Sequence, residues 1–312
     1  MPSSKWHTLP TEARNRRSAA VDTLSIPAIV DLMVDEDAGV VRAVGRERRR
    51  IAAGAALVAS ALAAGGRVLL AGAGTSGRLG VIEAAEMPPT FGTPARTVQA
   101  LMAGGRSAVF RAREGVEDDE RGGRAACARL TPRERDVVIG ITASGVTPYV
   151  RGVLIAARAG GAKTVLVTCG SRTALAALAD VVIAPRVGPE VVTGSTRLKA
   201  GTATKMVLNM LTTIAMIRVG KTYGHLMVDV QAGNAKLRDR ARRIVSAIAG
   251  VDHATAGRLL GRARGDVKTA VVMARTGLAA PRAKARLAAA GGSLRRALET
   301  GPAGEKGTVP IR

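Results

Sequence analysis

Two glutamates and three hydroxyl-rich loops are the parts of this chain whose residue types and spacing could do chemistry. Glu86 follows Glu83 by three residues in a short helical stretch, Gly77 to Glu86, and stands directly before Met87-Pro88-Pro89. The prolines are expected to stop that helix, and a carboxylate beside C-terminal helix carbonyls is disfavoured as an anion. Such a group suits a proton donor. Glu117 is expected to have the opposite placement, opening a helix with Asp118, Asp119 and Glu120, where the helix dipole favours the ionised form. Such a group suits a base. Two carboxylates in opposed environments can divide acid and base work between them.

The hydroxyls come in three glycine-flanked sets. Gly72-x-Gly74-x-x-Gly77 encloses Thr75 and Ser76 between a short apolar run and a helix. Glycines there permit close backbone approach and positive φ, and hydroxyls beside the amides of a helix start suit a phosphate. A second set, Ser144 and Thr147, lies in TASGVTPY; a third, Ser195 and Thr196 with Arg197, Lys199 and Thr202, lies in VVTGSTRLKAGTATK. Taken singly, such hydroxyls are helix N-caps. Three sets at strand ends of one sheet argue instead for a shared sugar phosphate, held by Gly74, Thr75, Ser76, Gly77, Ser144, Thr147, Ser195, Thr196, Arg197 and Lys199. A dinucleotide is not expected: its ribose needs an acidic residue about twenty positions on, and no Asp or Glu occurs between Met87 and Arg113. Nor is a nucleotide P-loop, since Arg78 stands where its lysine would follow Gly77.

Strands are expected at Val68–Ala71, Thr97–Met102, Asp136–Thr142, Lys163–Thr168 and Asp180–Ala184, with helices between them at Gly77–Glu86, Glu117–Leu130, Thr147–Ala159 and Thr173–Leu178. A long helix, Lys199–Val219, follows the last strand. The alternation predicts an α/β fold, a three-layer α/β/α arrangement around a parallel five-stranded sheet. With the flavodoxin-like strand order 2-1-3-4-5, the loops after the first and third strands would share the switch point where ligands bind. The expected organisation is a polar lead-in over 1–24, wrapping on a partner or mobile, and a sugar-phosphate-binding catalytic domain over 25–229 that starts with two helices ending at Gly65-Gly66. A small C-terminal helical bundle over 230–300 and a disordered Gly- and Pro-rich tail over 301–312 complete it.

The net charge of +23 raises the question of nucleic acid. Its arginines are interspersed with Ala and Gly along the chain, and with 2% aromatic residues no stacking platform accompanies them. No nucleic-acid partner is expected. Cys127 and Cys169, and His7, His225 and His253, are too scattered for a metal site or a disulfide scaffold. No apolar run reaches membrane-spanning length and the N-terminus lacks a signal-peptide core, so a soluble cytoplasmic protein is expected.

Read together, TEARN (Thr11–Asn15), GAGTSGRLG (Gly72–Gly80), EMPPTFG (Glu86–Gly92), AGG (Ala103–Gly105), EGVEDD (Glu114–Asp119), ASGVTPYV (Ala143–Val150), GPEVVTGSTRLKAGTATK (Gly188–Lys205) and LMVDV (Leu226–Val230) carry a resemblance. The chain resembles the N-acetylmuramic acid 6-phosphate etherase family of sugar isomerase (SIS) domain enzymes from about Thr11 to Leu298. The resemblance implies a homodimer with its site near the subunit interface, and a C-terminal helical domain like that of the related glucokinase regulatory protein. It implies cleavage of a D-lactyl ether with water, by elimination then hydration and without metal or organic cofactor. Glu86 matches the family's proton donor and Glu117 its second essential acid. The chain departs from the family at Val146, where Arg is usual, at Gly170, where Asn is common, and at Val116, Arg17 and Arg106. A non-catalytic sugar-phosphate sensor is the competing reading, and an aldose-ketose isomerase a third.

Overall fold

The computed structural model describes residues 9–170, 173–230 and 233–299. The first part of the expected lead-in, residues 1–8, and the expected tail lie outside the described residues. The chain divides into two compact units, Met1–Glu86 with Pro94–Ala215, and Met87–Thr93 with Met216–Arg312.

In the first unit, Ser25 starts α1 (Ile26–Arg46) by accepting the Ala28 N–H at 3.4 Å, with Pro27 in the first turn. Helix α2 (Arg48–Ala63) ends at Gly65, which takes φ +69° as a helix-terminating glycine does. There follow β1 (Val68–Gly72), α3 (Gly74–Phe91), β2 (Val98–Met102), α4 (Ser107–Phe110) and α5 (Glu120–Arg129). Then come β3 (Val137–Thr142), α6 (Pro148–Ala159), β4 (Lys163–Thr168), β5 (Val181–Ile183) and α7 (Lys199–Arg218), the last residues of α3 and α7 being counted with the second unit. The strands pair in parallel in the order β2-β1-β3-β4-β5. Central β1 and β3 are buried along their whole length, which is why they read as unbroken apolar runs.

Alternate strand residues serve opposite layers. Leu69, Ala71 and Val138 pack with Tyr149, Val153 and Ala156 of α6 and Cys127 of α5. On the other face, Gly54 of α2 brings its backbone close to Ile183, Val165 and Leu211 of α7, and Gly80 of α3 lies against Leu70 and Ile141. The three-layer α/β/α arrangement follows. The lower rim is pinned by Asp136, 1% exposed, whose carboxylate accepts from the Arg67 N–H at 2.8 Å, the Arg67 guanidinium at 2.6 Å and the Arg133 N–H at 3.1 Å. Burial works to raise its pKa, but the Arg67 bonds prevail and hold it below the ordinary value.

Several expectations need correction. Helix α3 does not stop at Glu86 but runs through Pro88 and Pro89 to Phe91. A proline removes the bond its own N–H would make and crowds the carbonyl four residues before it, but beyond it the Gly92 N–H still reaches the Pro88 carbonyl at 2.9 Å. Glu117 does not open α5: it lies in a 3-10 turn, Val116–Asp118, behind Gly115 at φ +74°, and α5 is capped by Asp119 accepting the Gly122 N–H at 2.7 Å. The stretch expected as a helix at Thr173–Leu178 is 3-10, Ala174–Leu178, with Thr173 as its cap. Residues 9–24 are no loose lead-in; Thr11, Asn15 and Ser18 are buried.

The second unit carries the hairpin β6 (Thr222–Tyr223) and β7 (Leu226–Met227), then α8 (Ala235–Ala249), α9 (His253–Arg262), α10 (Val267–Thr276), α11 (Ala280–Ala289) and α12 (Leu294–Glu299). Its core gathers Val245, Leu260, Val271, Leu287 and Leu294. Asp229 accepts from Lys268 at 2.6 Å and pairs with Lys221 at 3.1 Å. No helix among the described residues is long and apolar enough to cross a membrane.

Candidate active site

Strands β1 and β3 are neighbours, with Gly72 opposite Ile141, while their connections diverge to β2 and β4. The switch point therefore lies above these two strand ends, where a parallel sheet opens a crevice. The loop after β1 is shaped by glycine. A side chain on Gly72 would meet the Gly77 nitrogen at 2.7 Å and the Ile141 oxygen at 3.0 Å, and one on Gly77 would clash with the Gly72 carbonyl and the Met102 sulfur. Strand end and helix start thus touch backbone to backbone. Gly74 takes φ +53° and begins α3. Gly77 is the first amide of the turn to find a helical acceptor, Ala73 O at 3.1 Å. The amides of Gly74, Thr75 and Ser76 head the helix with none in their own turn, the arrangement that receives an anion.

The hydroxyls at these loops are not caps. Among the described residues, Thr75, Ser76, Ser195 and Thr196 make no side-chain hydrogen bond, and all four are partly exposed. Thr147 precedes α6 but caps nothing; its hydroxyl is 2.7 Å from that of Thr142, which also accepts the Gly145 N–H at 3.2 Å. Ser144 accepts the Val146 N–H at 3.4 Å in a local turn. Thr75 lies 3.7 Å from where a side chain on Gly201 would begin, which brings the first loop to the first turn of α7. Cys169, after β4, reaches the Ala200 carbonyl at 4.0 Å and gives its N–H to Ala143 at 3.0 Å. The loops after β1, β3 and β4 and the start of α7 therefore meet at one edge of the sheet. Burial pushes the Cys169 thiol up to about 12, consistent with packing rather than reactivity.

The third loop is built differently. Glu190, 1% exposed, accepts the N–H groups of Lys199 and Ala200 at 2.9 Å each, so the start of α7 is filled by the chain's own carboxylate. Lys199, placed with the ligand-binding residues by sequence, is 3% exposed and holds Glu36 at 2.5 Å; the geometry makes it a structural cation. Glu36 also accepts from Asn15 at 2.8 Å and Arg17 at 3.0 Å, and Asn15 donates to Pro189 O at 3.4 Å. This strap of N-terminal residues over the third loop was the part sequence reasoning missed, although the buried Asn15 sits in TEARN. Burial opposes the charge on Glu36, yet Lys199 and its other partners hold the carboxyl below its ordinary value. Arg197 remains exposed and, among the described residues, without a partner.

Glu86 and Glu117 are both exposed, and neither has a hydrogen bond or ion pair among the described residues. Because α3 continues to Phe91, Glu86 does not stand at a helix C-terminus as expected; Pro88 and Pro89 lack the N–H groups that the carbonyls of Ala84 and Ala85 would receive in an unbroken helix. Glu117 lies outside α5, whose dipole begins at Asp119 and Glu120, so it does not have the helix-start placement expected of it. Arg78 donates to the carbonyls of Ala108 and Val109 at 2.9 Å each, so it fastens α4 rather than facing a ligand. Among the described residues no three His, Cys, Asp or Glu side chains gather to hold a metal ion.

Residues 50–158 match the family model of the glucokinase regulatory protein N-terminal SIS domain, and residues 127–214 match that of the SIS domain. The chain is 50% identical over 289 residues to the N-acetylmuramic acid 6-phosphate etherase of Edwardsiella ictaluri, covering 93% of this chain and 96% of that one. It is 53% identical over 265 residues to that of Symbiobacterium thermophilum, covering 85% and 88%. With the Cutibacterium acnes protein of the same name it shares 48% identity over 289 residues, 93% and 95% of the two chains. The chain belongs to the N-acetylmuramic acid 6-phosphate etherase family.

Proposed function

We propose that the crevice above β1 and β3 binds N-acetylmuramic acid 6-phosphate and cleaves its D-lactyl ether, giving N-acetylglucosamine 6-phosphate and D-lactate. The observation that carries this reading is the set of unpartnered hydroxyls, Thr75, Ser76, Ser195 and Thr196, around an open helix start. The free amides of α3 and these hydroxyls hold the phosphate, with Arg197 adding charge. With the sugar ring open, a carboxylate takes the C2 proton, made acidic by the adjacent C1 aldehyde. The C3–O bond breaks, and the departing lactate oxygen takes a proton from the second carboxyl. Water then adds to C3 of the unsaturated aldehyde and C2 regains a proton. Glu86 and Glu117 fill the two carboxyl roles, with Glu86 as the proton donor to lactate.

In this reading the protein works in the cytoplasm as a pair of identical subunits, with the site near their interface. Ile26, Val30, Val34 and Val41 form an apolar row on α1 and are 79, 53, 63 and 62% exposed, a surface that a second copy would cover. Light scattering on the purified protein tests the pairing.

Incubation with N-acetylmuramic acid 6-phosphate is expected to release D-lactate, and Glu86→Gln and Glu117→Gln are each expected to lower the rate by about 100-fold or more. Full activity in either variant would remove that residue from the reaction. The match to a regulatory-protein model favours one competitor, a sensor that binds sugar phosphate without reacting. Binding without lactate release would establish it.

A further inference from the structure

A buried carboxylate lies one helical turn before Glu86. Glu83 of α3 is 3% exposed. Its two oxygens are taken by α7: Thr212 Oγ1 donates to one at 2.5 Å, and Lys205 Nζ donates to the other at 3.2 Å. Lys205 also donates to Asn209. Lys205, Asn209 and Thr212 recur at i, i+4 and i+7, so they share one face of α7. The pair is uneven, with the Lys205 side chain 37% exposed and that of Glu83 4%.

We propose that Lys205 is a positioning residue for Glu86, acting through Glu83. The inference rests on reading Glu86 as the proton-transfer acid. Residues three apart on a helix are surface neighbours, with Cβ atoms about 5–6 Å apart. Fixing Glu83 against α7 therefore fixes the turn that carries Glu86. A buried ion pair adds little stability over an apolar pair of similar volume, so stability alone is a poor reason for Glu83 and Lys205 to meet here. Rotational register is a better one. Apolar residues at this contact would let α3 roll or slide against α7, whereas a carboxylate gripped by an ammonium and a hydroxyl admits one setting. That setting aims the exposed Glu86 carboxylate, which has no bond of its own to hold it.

The test is steady-state D-lactate release by Lys205→Met, Lys205→Arg, Thr212→Val, Glu86→Gln and the double variant Lys205→Met/Glu86→Gln, each checked for folding by circular dichroism. Lys205→Met is expected to lower kcat by about tenfold or more with KM within about twofold, because a misplaced group loses rate before it loses binding. Lys205→Arg should recover most of that loss, and Thr212→Val should show a weaker form of it. In the Glu86→Gln background Lys205→Met should have little further effect, since both act through one carboxylate. An unchanged kcat in folded Lys205→Met, or a loss that adds in full to that of Glu86→Gln, would overturn the proposal. If Glu86→Gln alone were fully active, the assignment of Glu86 would fail instead, and the two failures are told apart by that single variant.

Discussion

The first turn of α3 and the first turn of α7 stand side by side at the same edge of the sheet, but their amides meet different fates. At α3 the amides of Gly74, Thr75 and Ser76 have no acceptor in their own turn, and the neighbouring hydroxyls have no side-chain bond among the described residues. At α7 the amides of Lys199 and Ala200 are closed by buried Glu190, and the side chain of Lys199 by Glu36. A helix start carries the same partial positive charge in both places. What differs is whether the chain supplies its own anion. The open start is suited to a ligand and the closed one to holding a loop, and a family of tests follows from that contrast.

The largest effect is expected at the closed start. Glu190→Ala strands two buried N–H groups and should lower stability by about 3 kcal/mol in denaturant titration. Glu190→Gln keeps an acceptor and should lose less. A value near zero for Glu190→Ala would mean that the two starts are not different in kind. Next is Gly77→Ala at the open start, where the added methyl has no room between Gly72 and Met102. About 2 kcal/mol of stability should go, and sugar-phosphate binding should weaken with it as the loop is displaced.

Ser76→Ala sharpens the comparison from the other side. It should leave stability within about 0.5 kcal/mol while weakening sugar-phosphate affinity by about tenfold, about 1.4 kcal/mol in calorimetry. Unchanged affinity would leave the first loop without a ligand. The smallest effects belong to the N-terminal strap. Asn15→Ala should lower stability by about 1 kcal/mol, with affinity changed less than by Ser76→Ala. The pH dependence has a definite sign. Because the folded protein holds the Glu36 carboxyl below its ordinary value of 4.5, its contribution is complete above that pH and is lost as the pH falls through the lower, folded value. Glu36→Gln should flatten that acid-side slope in thermal unfolding.

Most of the fold was legible because its signals are local. Unbroken apolar runs such as Val137–Ile141 mark strands buried on both faces, and Gly65 marks the end of α2. The three hydroxyl loops could be found for the same reason: each is a strand end followed by glycines and a helix. What stayed hidden depends on distant partners. Nothing near Lys199, expected to help hold the sugar phosphate, reveals that Glu36 waits 163 residues away or that Glu190 fills the start of its helix. Pro88 and Pro89 misled in the opposite direction, since a strong local stop signal is overridden once the residues beyond it find helical acceptors. Glu117 was misplaced by one short turn, a difference that a run of four acids cannot disclose.

The close approach of Gly92 to Asp229 has a consequence for how the protein is made. A side chain at Gly92, which takes φ +61°, would meet the Asp229 carbonyl oxygen at 2.6 Å, and residues 87–93 belong to the same compact unit as 216–312. A ribosome releases the earlier strip long before the later one exists, so this unit cannot finish assembling until translation has passed residue 229. A gene fragment beginning at Met216 would encode its helices yet omit residues 87–93, which belong to the same unit and meet Asp229, and this makes the region a poor choice for transplantation as a module.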